Sequence, residues 1–222
     1  MNLLIFGNSS FAQIAAEYFS KDSVFDPVCF CVDDEYLSIS TAIDLPVVAT
    51  SELKTVINRF KVTHFYVACT YTELNRLRTQ KYNMLKNEGL LPASYVSSKS
   101  FVWDNVKLGE HVFIFEDNTV QPFSEIGDNT VLWSGNHIGH HSIISKNVFV
   151  SSHCVISGHV SIGTNCFLGV NCSIANNLQI GSDSFIGPGC IVNKNVADNE
   201  FLLSSPSERK KISPKRFFKV SE

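Results

Sequence analysis

Long apolar segments are absent from the 222-residue sequence. No run approaches the roughly 20 consecutive apolar residues that a membrane-spanning helix requires. The first ten residues, MNLLIFGNSS, also lack the basic flank and the small-residue cleavage site of a signal peptide. We therefore expect a cytoplasmic protein with no membrane span, in which these first residues form a strand.

Regularly spaced cysteines are missing as well. The chain has seven cysteines, an odd number, and none of them belongs to a C-x-x-C pair. A secreted disulfide scaffold and a zinc ribbon both depend on such regular spacing. The sequence therefore favours neither class.

The chain also has no basic stripe outside its C-terminal end. The net charge is -3, but residues 209–222 carry six Lys or Arg side chains against Glu222 alone, so this end is +5 and the remainder is -8. Without basic residues along the folded part, we expect no nucleic-acid partner. We interpret residues 199–222 as a basic C-terminal extension, which either binds a phosphorylated cofactor or is a solvated end.

A six-residue period is the strongest pattern that is present. Every sixth residue from Val96 to Val192 is Val, Ile or Leu, which gives seventeen consecutive aliphatic sites without an insertion. Helices repeat every 3.6 residues and half-buried strands every second residue, whereas a solenoid of short strands and turns can repeat every six. Three sixes predict one triangular coil of parallel strands, stacked on the next coil at about 4.8 Å.

Small residues and cysteines follow the same period. In one column, spaced by eighteen residues, the residue after the aliphatic site is small, as expected for a corner with a tight or left-handed backbone: Gly109, Gly127, Ser145, Gly163 and Gly181. Four cysteines stand two residues before an aliphatic site, which is the other inward position, and we interpret them as small core residues and not as metal ligands: Cys154, Cys166, Cys172 and Cys190.

Residues 1–93 show a different pattern. Strand-like runs such as NLLIF and VCFCV alternate with helical runs such as FAQIAAEYF, which predicts a small α/β domain with a parallel sheet. The turn GNSSFA, residues 7–12, is related to the dinucleotide-binding fingerprint, with Ser9 in place of its second glycine. We therefore predict a Rossmann-like domain, in which the turn alone leaves nucleotide binding open.

The two halves together resemble bacterial sugar acyltransferases of the left-handed parallel β-helix, or hexapeptide-repeat, type. The resemblance covers the six-residue repeat over about residues 96–196 and the Gly-rich turn before it. The chain is similar in particular to the nucleotide-amino-sugar N-acetyltransferases and the sialic-acid O-acetyltransferase-like family. This resemblance implies a left-handed β-helix over residues 94–198, a homotrimer, and an acyl-CoA donor in the groove between neighbouring β-helices.

The resemblance also implies where both substrates bind. In the family, the Gly-rich turn approaches the nucleotide-sugar phosphates, and an Asp pair after the second strand meets the base or ribose; the matching residues are Gly7, Asn8, Ser9, Asp33 and Asp34. Segments in later coils border the pantetheine arm of CoA, and the matching residues are Gly169, Val170, Gly187 and Pro188. Lys194 or the cluster Arg209 to Lys211 would then meet the CoA phosphates.

Three histidines lie in the stretch GNHIGHHSIIS, residues 135–145. A zinc motif on a helix needs two histidines on one face, whereas the six-residue register places His137, His140 and His141 around a corner. We therefore expect their rings to point in different directions and not to share a metal ion. His137 is interpreted either as a substrate contact or as a surface residue.

The resemblance implies that His140 is the general base that takes the proton from the acceptor. A neutral imidazole, with an ordinary pKa of about 6.5, suits this role at neutral pH. His141 stands where many relatives have the Asp or Glu that orients the base. Gly158 follows His140 by eighteen residues, so we expect it one coil away; it matches the family glycine whose N–H contacts the thioester oxygen, where it would stabilise the oxyanion. His141 and His159 stack by the same count, and we expect them to line the groove.

These observations predict an acetyl-CoA-dependent N-acetyltransferase. Its acceptor would be the amino group of a nucleotide-linked amino-deoxy sugar made for a surface polysaccharide, attacked directly without an acyl-enzyme or a metal. O-acetylation of a sugar hydroxyl uses the same base and stays open as an alternative. The other alternative is a non-catalytic hexapeptide-repeat protein or a γ-carbonic-anhydrase-like metal protein with three histidines in separate coils.

Overall fold

The computed structural model of the chain describes residues 1–37, 44–208 and 211–220. Its N-terminal part is a parallel five-stranded sheet in the order β3-β2-β1-β4-β5, which confirms the small parallel sheet predicted from the alternating pattern. Its elements are β1 (Asn2–Phe6), α1 (Ser10–Asp22), β2 (Asp26–Val32), β3 (Val47–Ala49), α2 (Leu53–Phe60), β4 (His64–Val67), α3 (Arg76–Asn87) and β5 (Leu91–Pro92), with short 3₁₀ turns at Asp34–Tyr36 and Thr50–Glu52.

The central strand β1 is buried on both faces. Leu3 and Ile5 pack in the apolar cluster that contains α1, while Leu4 packs in the cluster that contains α2 and α3. A parallel strand covered on both faces has consecutive apolar residues, as β1 has. The turn at Gly7 therefore lies at the carboxyl end of the central strand, the edge at which open α/β sheets bind ligands.

The second part is a parallel β-helix of two-residue strands that form three faces. Successive strands visit the three faces in turn and pair with strands eighteen residues away, as predicted. Face 1 contains Tyr95–Val96, Phe113–Ile114, Val131–Leu132, Phe149–Val150, Phe167–Leu168, Phe185–Ile186 and Phe201–Leu202; face 2 contains Phe101–Val102, Thr119–Val120, His137–Ile138, Val155–Ile156, Ser173–Ile174 and Ile191–Val192; face 3 contains Lys107–Leu108, Glu125–Ile126, Ile143–Ile144, Ser161–Ile162 and Gln179–Ile180.

The aliphatic ladder forms the core of the β-helix. Each of its fourteen sites from Ile114 to Val192 is buried, whereas Val96 and Leu108 are 37 % and 40 % exposed. The first sites are exposed because the first coil has no coil below it. The four cysteines assigned to the interior are buried free thiols in the same core cluster, which confirms their interpretation as core residues.

The corner glycines are explained by close packing and not by a left-handed backbone. Positive φ values occur regularly at the third residue after the aliphatic site, as at His141 (59°). The glycines that directly follow the aliphatic sites instead face the backbone of the next coil: a Cβ on Gly127 would lie 2.6 Å from Lys146 N, and a Cβ on Gly163 would lie 2.5 Å from Ser182 N. The expectation of a tight corner is correct, but the left-handed residue lies two positions later.

The last coil is two residues shorter than the others. Val196 forms an isolated bridge with Ile180, sixteen residues earlier, where the regular spacing is eighteen. The loss falls after Val192, in the segment that carries Lys194. The repeat predicted through Val192 is therefore continuous, and the irregular part begins where the sequence pattern ends.

Two buried polar side chains join the sheet domain to the β-helix. Arg78 of α3 is fully buried and donates from Nη2 to the carbonyl oxygen of Asn129 at 2.7 Å. His111 accepts a hydrogen bond at Nε2 from the Val67 N–H (2.8 Å) and contacts Asn129 Oδ1 through Nδ1 (2.8 Å). Burial lowers the pKa of His111 to about 3 and that of Arg78 to about 10. His111 is therefore neutral, and both residues fix α3 and β4 against the first coils.

The C-terminal segment contains a short helix, α4 (Pro214–Phe217), whose residues are exposed. Arg209 and Lys210, which were proposed to meet the CoA phosphates, lie outside the described residues. Within the described part of the chain, none of the helices has the length and apolar character to cross a membrane.

Candidate active site

The edge between faces 2 and 3, here called the 2–3 edge, carries a column of residues spaced by eighteen. His140, Gly158 and Asn176 follow one another on successive coils, and Lys194 lies in the shortened coil beyond them. These residues come from the turns that follow the face 2 strands, so the register of those strands sets their spacing. The predicted base, the predicted amide donor and one predicted CoA contact therefore share one edge.

His140 lies directly over Gly158. A Cβ built on Gly158 would lie 2.8 Å from both Cε1 and Nε2 of the His140 ring. The His140 backbone N–H donates to Gln121 Oε1 of the preceding coil at 3.0 Å, which fixes the turn. The stacking predicted from the eighteen-residue count is thus present, and the absence of a side chain on Gly158 makes room for the imidazole.

His140 also contacts two other histidines. Its Nδ1 lies 3.1 Å from Nδ1 of His141, and the two rings are nearly perpendicular, at 87°. His159, on the next coil, stacks on His141 with ring centroids 4.8 Å apart and packs edge-on against His140. The expectation that the rings diverge is therefore wrong for His140 and His141, because the left-handed backbone of His141 turns its ring back toward its neighbour.

These three exposed histidines form a group of metal-ligand type. One nitrogen from each ring lies within 4.8 Å of the others. Tetrahedral zinc with Zn–N bonds of about 2.0–2.1 Å holds its nitrogens only about 3.4 Å apart, and the His141 and His159 rings are stacked nearly parallel, at 17°. The contact between His140 and His141 has hydrogen-bond length. We therefore interpret these rings as a hydrogen-bonded pair and not as metal ligands.

His137 is not part of this group. It is half-buried on face 2, and its backbone N–H donates to the carbonyl oxygen of Cys154 in the strand ladder at 2.9 Å. Its side chain points outward because the next residue, Ile138, is buried in the core. A contact between His137 and a substrate stays a prediction.

The Gly158 amide is engaged in the structure. Its N–H donates to Oδ1 of Asn176 on the next coil, at 2.9 Å. Any ligand atom that accepts from this N–H has to share the donor or replace Asn176. Asn176 is an exposed side chain, and sequence reasoning did not single it out, although it belongs to the same eighteen-residue column as His140 and Gly158.

A second candidate site lies at the carboxyl ends of β1, β2 and β4. It is a cavity of about 230 Å³. Four of its lining residues were predicted from the sequence: Gly7, Asn8, Ser9 and Asp33. The lining residues that were not predicted include Tyr36, Thr70, Thr72 and Lys81. The Gly-rich turn and the second strand therefore converge on one cavity.

Lys81 supplies a cation to this cavity. Its Nζ lies 2.6 Å from Oδ1 of Asp33, and it also lies over the Phe6 ring, 5.2 Å from the centroid. Sequence analysis did not identify Lys81, which lies in α3 and whose side chain reaches the end of β2. Asp34 does not line the cavity: its Oδ1 accepts hydrogen bonds from Thr50 Oγ1 and Ser51 N, which lower the pKa of its carboxyl group.

The residues predicted to border pantetheine lie on a different edge, between faces 1 and 2 (the 1–2 edge). A Cβ on Gly169 would lie 2.5 Å from Pro188 N, and a Cβ on Gly187 would lie 2.8 Å from Leu203 Cδ2. Stacking of the coils therefore explains both glycines. Val170 is 44 % exposed and lines a cavity of about 270 Å³ together with Thr70, which also lines the cavity near Lys81.

Within one chain, the sheet-domain cavity and the 1–2 edge are thus neighbours, while His140 lies on the next edge of the triangle. The six-stranded face 2 separates the two groups of predicted site residues.

The six-residue repeat, the parallel β-helix and the N-terminal parallel sheet together are the fold of hexapeptide-repeat transferases. The family model described as "Bacterial transferase hexapeptide (six repeats)" matches residues 159–194. No curated protein sequence matches the chain. The family match agrees with the sequence-derived repeat and covers two of its coils.

Among solved structures, a variant of perosamine N-acetyltransferase from Caulobacter crescentus, in complex with CoA and GDP-perosamine, is similar over 96 % of this chain and 98 % of its own, with 20 % identity and a TM-score of 0.82. The acetyltransferase domain of PglB from Neisseria gonorrhoeae covers 90 % and 95 %, with 18 % identity and a TM-score of 0.77. WeeI from Acinetobacter baumannii covers 94 % and 99 %, with 19 % identity and a TM-score of 0.74. The predicted resemblance is confirmed, and the parallel sheets are consistent with a left-handed β-helix.

Proposed function

We propose that the protein is an acetyl-CoA-dependent N-acetyltransferase that acts on the amino group of a nucleotide-linked amino-deoxy sugar. The observation that carries this proposal is the position of the His140 ring, with Nε2 over Gly158 on an exposed edge. The N-terminal cavity with its Gly-rich turn and lysine supports an anionic, nucleotide-linked acceptor. The solved structures with CoA and GDP-perosamine support the same pairing of substrates.

In this mechanism His140 Nε2 is the general base. The sugar amine attacks the thioester carbonyl carbon, and Nε2 takes a proton from the nitrogen as the N–C bond forms. The C–S bond then breaks, and the leaving CoA thiolate takes the proton from His140 to give the CoA thiol, which returns His140 to its neutral form. The attack is direct, because the cysteines of the β-helix face its interior and none of them is available as a nucleophile beside His140.

The Gly158 N–H is the donor that we assign to the thioester oxygen. A backbone N–H aimed at a developing oxyanion lowers the barrier without reorganisation. In the free protein Asn176 Oδ1 occupies this donor, so acetyl-CoA would displace an exposed side chain. Exchange of one neutral hydrogen bond for another costs little, since each contributes only about 1 kcal/mol net.

The N-terminal cavity is the site that we assign to the nucleotide sugar. The strand order 3-2-1-4-5 is that of a doubly wound nucleotide-binding sheet, which supports the Rossmann-like description of residues 1–93. Gly7, Asn8 and Ser9 would approach the diphosphate at the start of α1, Lys81 would neutralise it, and Asp33 would hold Lys81 or bond the ribose. Residues 94–198 then form the acyltransferase unit, and residues 199–222 the basic extension.

We further propose that the active unit is a homotrimer. The sheet-domain cavity lies beside the 1–2 edge, whereas His140 lies on the 2–3 edge, so a neighbouring copy would bring its base to the sugar held by the first. Gly169, Val170, Gly187, Pro188 and Lys194 would then border CoA from both sides of one groove. We place this reaction in the cytoplasm because acetyl-CoA is its donor.

The first experiment measures CoA release with a panel of nucleotide-linked amino sugars and compares the wild type with His140→Ala. We expect acetyl transfer that the substitution abolishes while CoA binding persists; near-wild-type turnover would contradict the base assignment. Treatment of the product with mild base separates the O-acetyl alternative, since esters hydrolyse and amides survive. Metal analysis of untagged protein tests the metal-protein alternative.

The second experiment tests the shared groove. Differently tagged His140→Ala and Ser9→Trp chains, the latter with a blocked cavity mouth, are co-expressed and the mixed oligomers isolated. Each variant alone is expected to be inactive, and the mixed oligomer is expected to recover part of the activity. Mixed oligomers without activity would show that one chain supplies both the cavity and the base.

A further inference from the structure

The contact between His140 and His141 contains a proton that determines which nitrogen of His140 is basic. Two Nδ1 atoms 3.1 Å apart attract each other only if one of them carries hydrogen. Two N–H groups would repel, and so would two lone pairs. In the neutral pair, the hydrogen therefore lies on Nδ1 of one ring, and the other ring accepts it.

The position of Gly158 decides which ring is the donor. The Cε1–Nε2 edge of the His140 ring lies nearest the Cβ position of Gly158, at 2.8 Å against 3.2 Å for Nδ1, and Nδ1 contacts His141; of the two ring nitrogens, Nε2 is therefore the one left for a substrate beside Gly158. His140 is a base at Nε2 only if its own hydrogen lies on Nδ1. His141 then accepts at Nδ1 and carries its hydrogen on Nε2.

His141 is held in the accepting position by stacking on both sides. Phe123 of the preceding coil stacks on it at 4.7 Å and 29°, and His159 of the following coil stacks on it at 4.8 Å and 17°. Phe123, His141 and His159 are spaced by eighteen residues and share a left-handed backbone. A ring with aromatic neighbours on both faces has little freedom to turn its Nδ1 away.

We propose that His141 is a positioning residue that replaces the carboxylate partner of a catalytic histidine and makes the pair a two-histidine proton carrier. This inference rests on the proposed function of His140. His141 holds His140 in the Nδ1–H tautomer before the reaction. When Nε2 takes the proton from the sugar amine, the Nδ1–H of His140 moves toward Nδ1 of His141, and the positive charge is shared between two rings.

The His140–His141 pair has no carboxylate among the neighbours that contact it in the described residues. From the following coil it is faced by His159, and from the preceding coil by Phe123 and Gln121, which do not ionise. The ion pairs found in the described residues do not involve these histidines. A carboxylate partner would add a negative charge beside His140 and favour its charged form, whereas His141 orients the ring without adding negative charge.

The first test is independent of turnover. Histidine-selective ¹⁵N labelling and long-range ¹H–¹⁵N correlation of the full-length, metal-free protein identify the tautomer of each ring at a pH where the rings are neutral. We expect His140 as the Nδ1–H form and His141 as the Nε2–H form. In His141→Ala we expect His140 to revert to the Nε2–H form that predominates in free imidazoles. An Nε2–H His140 in the wild type, or an unchanged tautomer in the variant, would overturn the proposal.

The second test uses the pH dependence of kcat/KM. His141→Asp supplies a charged partner and is expected to move the acid limb upward by about one pH unit, while His141→Asn keeps an uncharged acceptor and leaves the limb near its wild-type position. The control is His64→Asn, a half-buried histidine of β4 that lines neither candidate site. It is expected to leave both the limb and kcat unchanged. An identical limb in wild type and His141→Asp would refute the partnership.

The two tests separate this inference from the proposed function. If no nucleotide-linked amino sugar is acetylated, the proposed function fails, while the tautomer of His140 still reports whether His141 positions it. If acetylation occurs and depends on His140 but the tautomer and the pH profile ignore His141, the function stands and the positioning role fails.

Discussion

Gly158→Ala tests the geometry of the site most directly, because the three atoms nearest to the added methyl group all belong to the His140 side chain. The new Cβ would lie 2.8 Å from His140 Nε2, and ordinary contact begins at 3.4 Å, so the ring has to move by 0.6 Å or more. Gly158 does not have a left-handed backbone, and alanine is therefore compatible with its φ angle. The whole cost falls on the position of the imidazole.

We expect the variant to fold normally and to lose turnover. His140 is exposed, so its ring can swing outward, and the free energy of unfolding should fall by less than about 1 kcal/mol. A displacement approaching 1 Å of a catalytic group costs about 100-fold in rate. Initial rates of acetyl transfer, together with urea unfolding, measure both effects.

Gly163→Ala is the matched control. It also lies at a β-helix corner, but its Cβ would lie 2.5 Å from the backbone N of Ser182, which cannot swing away. We expect it to destabilise the fold by about 1–3 kcal/mol and to leave the rate per folded molecule unchanged. Wild-type turnover in Gly158→Ala, or equal losses of stability in both variants, would refute the assignment of His140 above Gly158.

Three other outcomes are expected. Asn176→Ala should keep kcat/KM within a few-fold of wild type, since it frees the Gly158 N–H; a loss near 100-fold in initial-rate assays would instead make the Asn176 amide the oxyanion donor. Lys81→Gln should raise KM for the nucleotide sugar by about 10- to 100-fold, the value of a charge-assisted hydrogen bond of about 1.5–3 kcal/mol, with CoA affinity unchanged in calorimetry. The pKa of His111 falls to about 3 on folding. Its contribution to the free energy of unfolding is therefore complete above its unfolded pKa of about 6.5 and is lost as the pH falls toward 3. Urea unfolding should show that the free energy of unfolding falls by about 2–3 kcal/mol between pH 6.5 and 4.5 in the wild type but not in His111→Gln.

The repeat could be predicted from sequence because its cause is local and periodic. Each aliphatic site has the same environment on every coil, so the count that placed Gly158 beside His140 needed no knowledge of the rest of the fold. The stacking of His141 on His159 followed from the same count. The contact between His140 and His141 did not, because it depends on the left-handed φ of His141, which moves the ring out of the simple alternation of a strand.

Contacts between residues that are far apart in the sequence, or that depend on a side-chain rotamer, could not be predicted from this count. Lys81 and Asp33 are separated by 48 residues and meet because α3 packs against β4 and the Lys81 side chain reaches the end of β2. The engagement of the Gly158 amide by Asn176 depends on a side-chain rotamer, which the eighteen-residue spacing does not fix. Asp34 matched a family motif, yet its carboxylate is taken by Thr50 and Ser51.

The eighteen-residue spacing of His140 and Gly158 makes the chemistry of this edge depend on chain length. Insertion of one residue between them would shift every later side chain by one step and place Gly158 away from the imidazole. Insertion of a complete coil would preserve the fold but separate the two by one further strand spacing, about 4.8 Å. A substitution between positions 142 and 157 leaves this register intact, whereas gain or loss of a residue there does not, so natural variation in length should be confined to the ends of the solenoid.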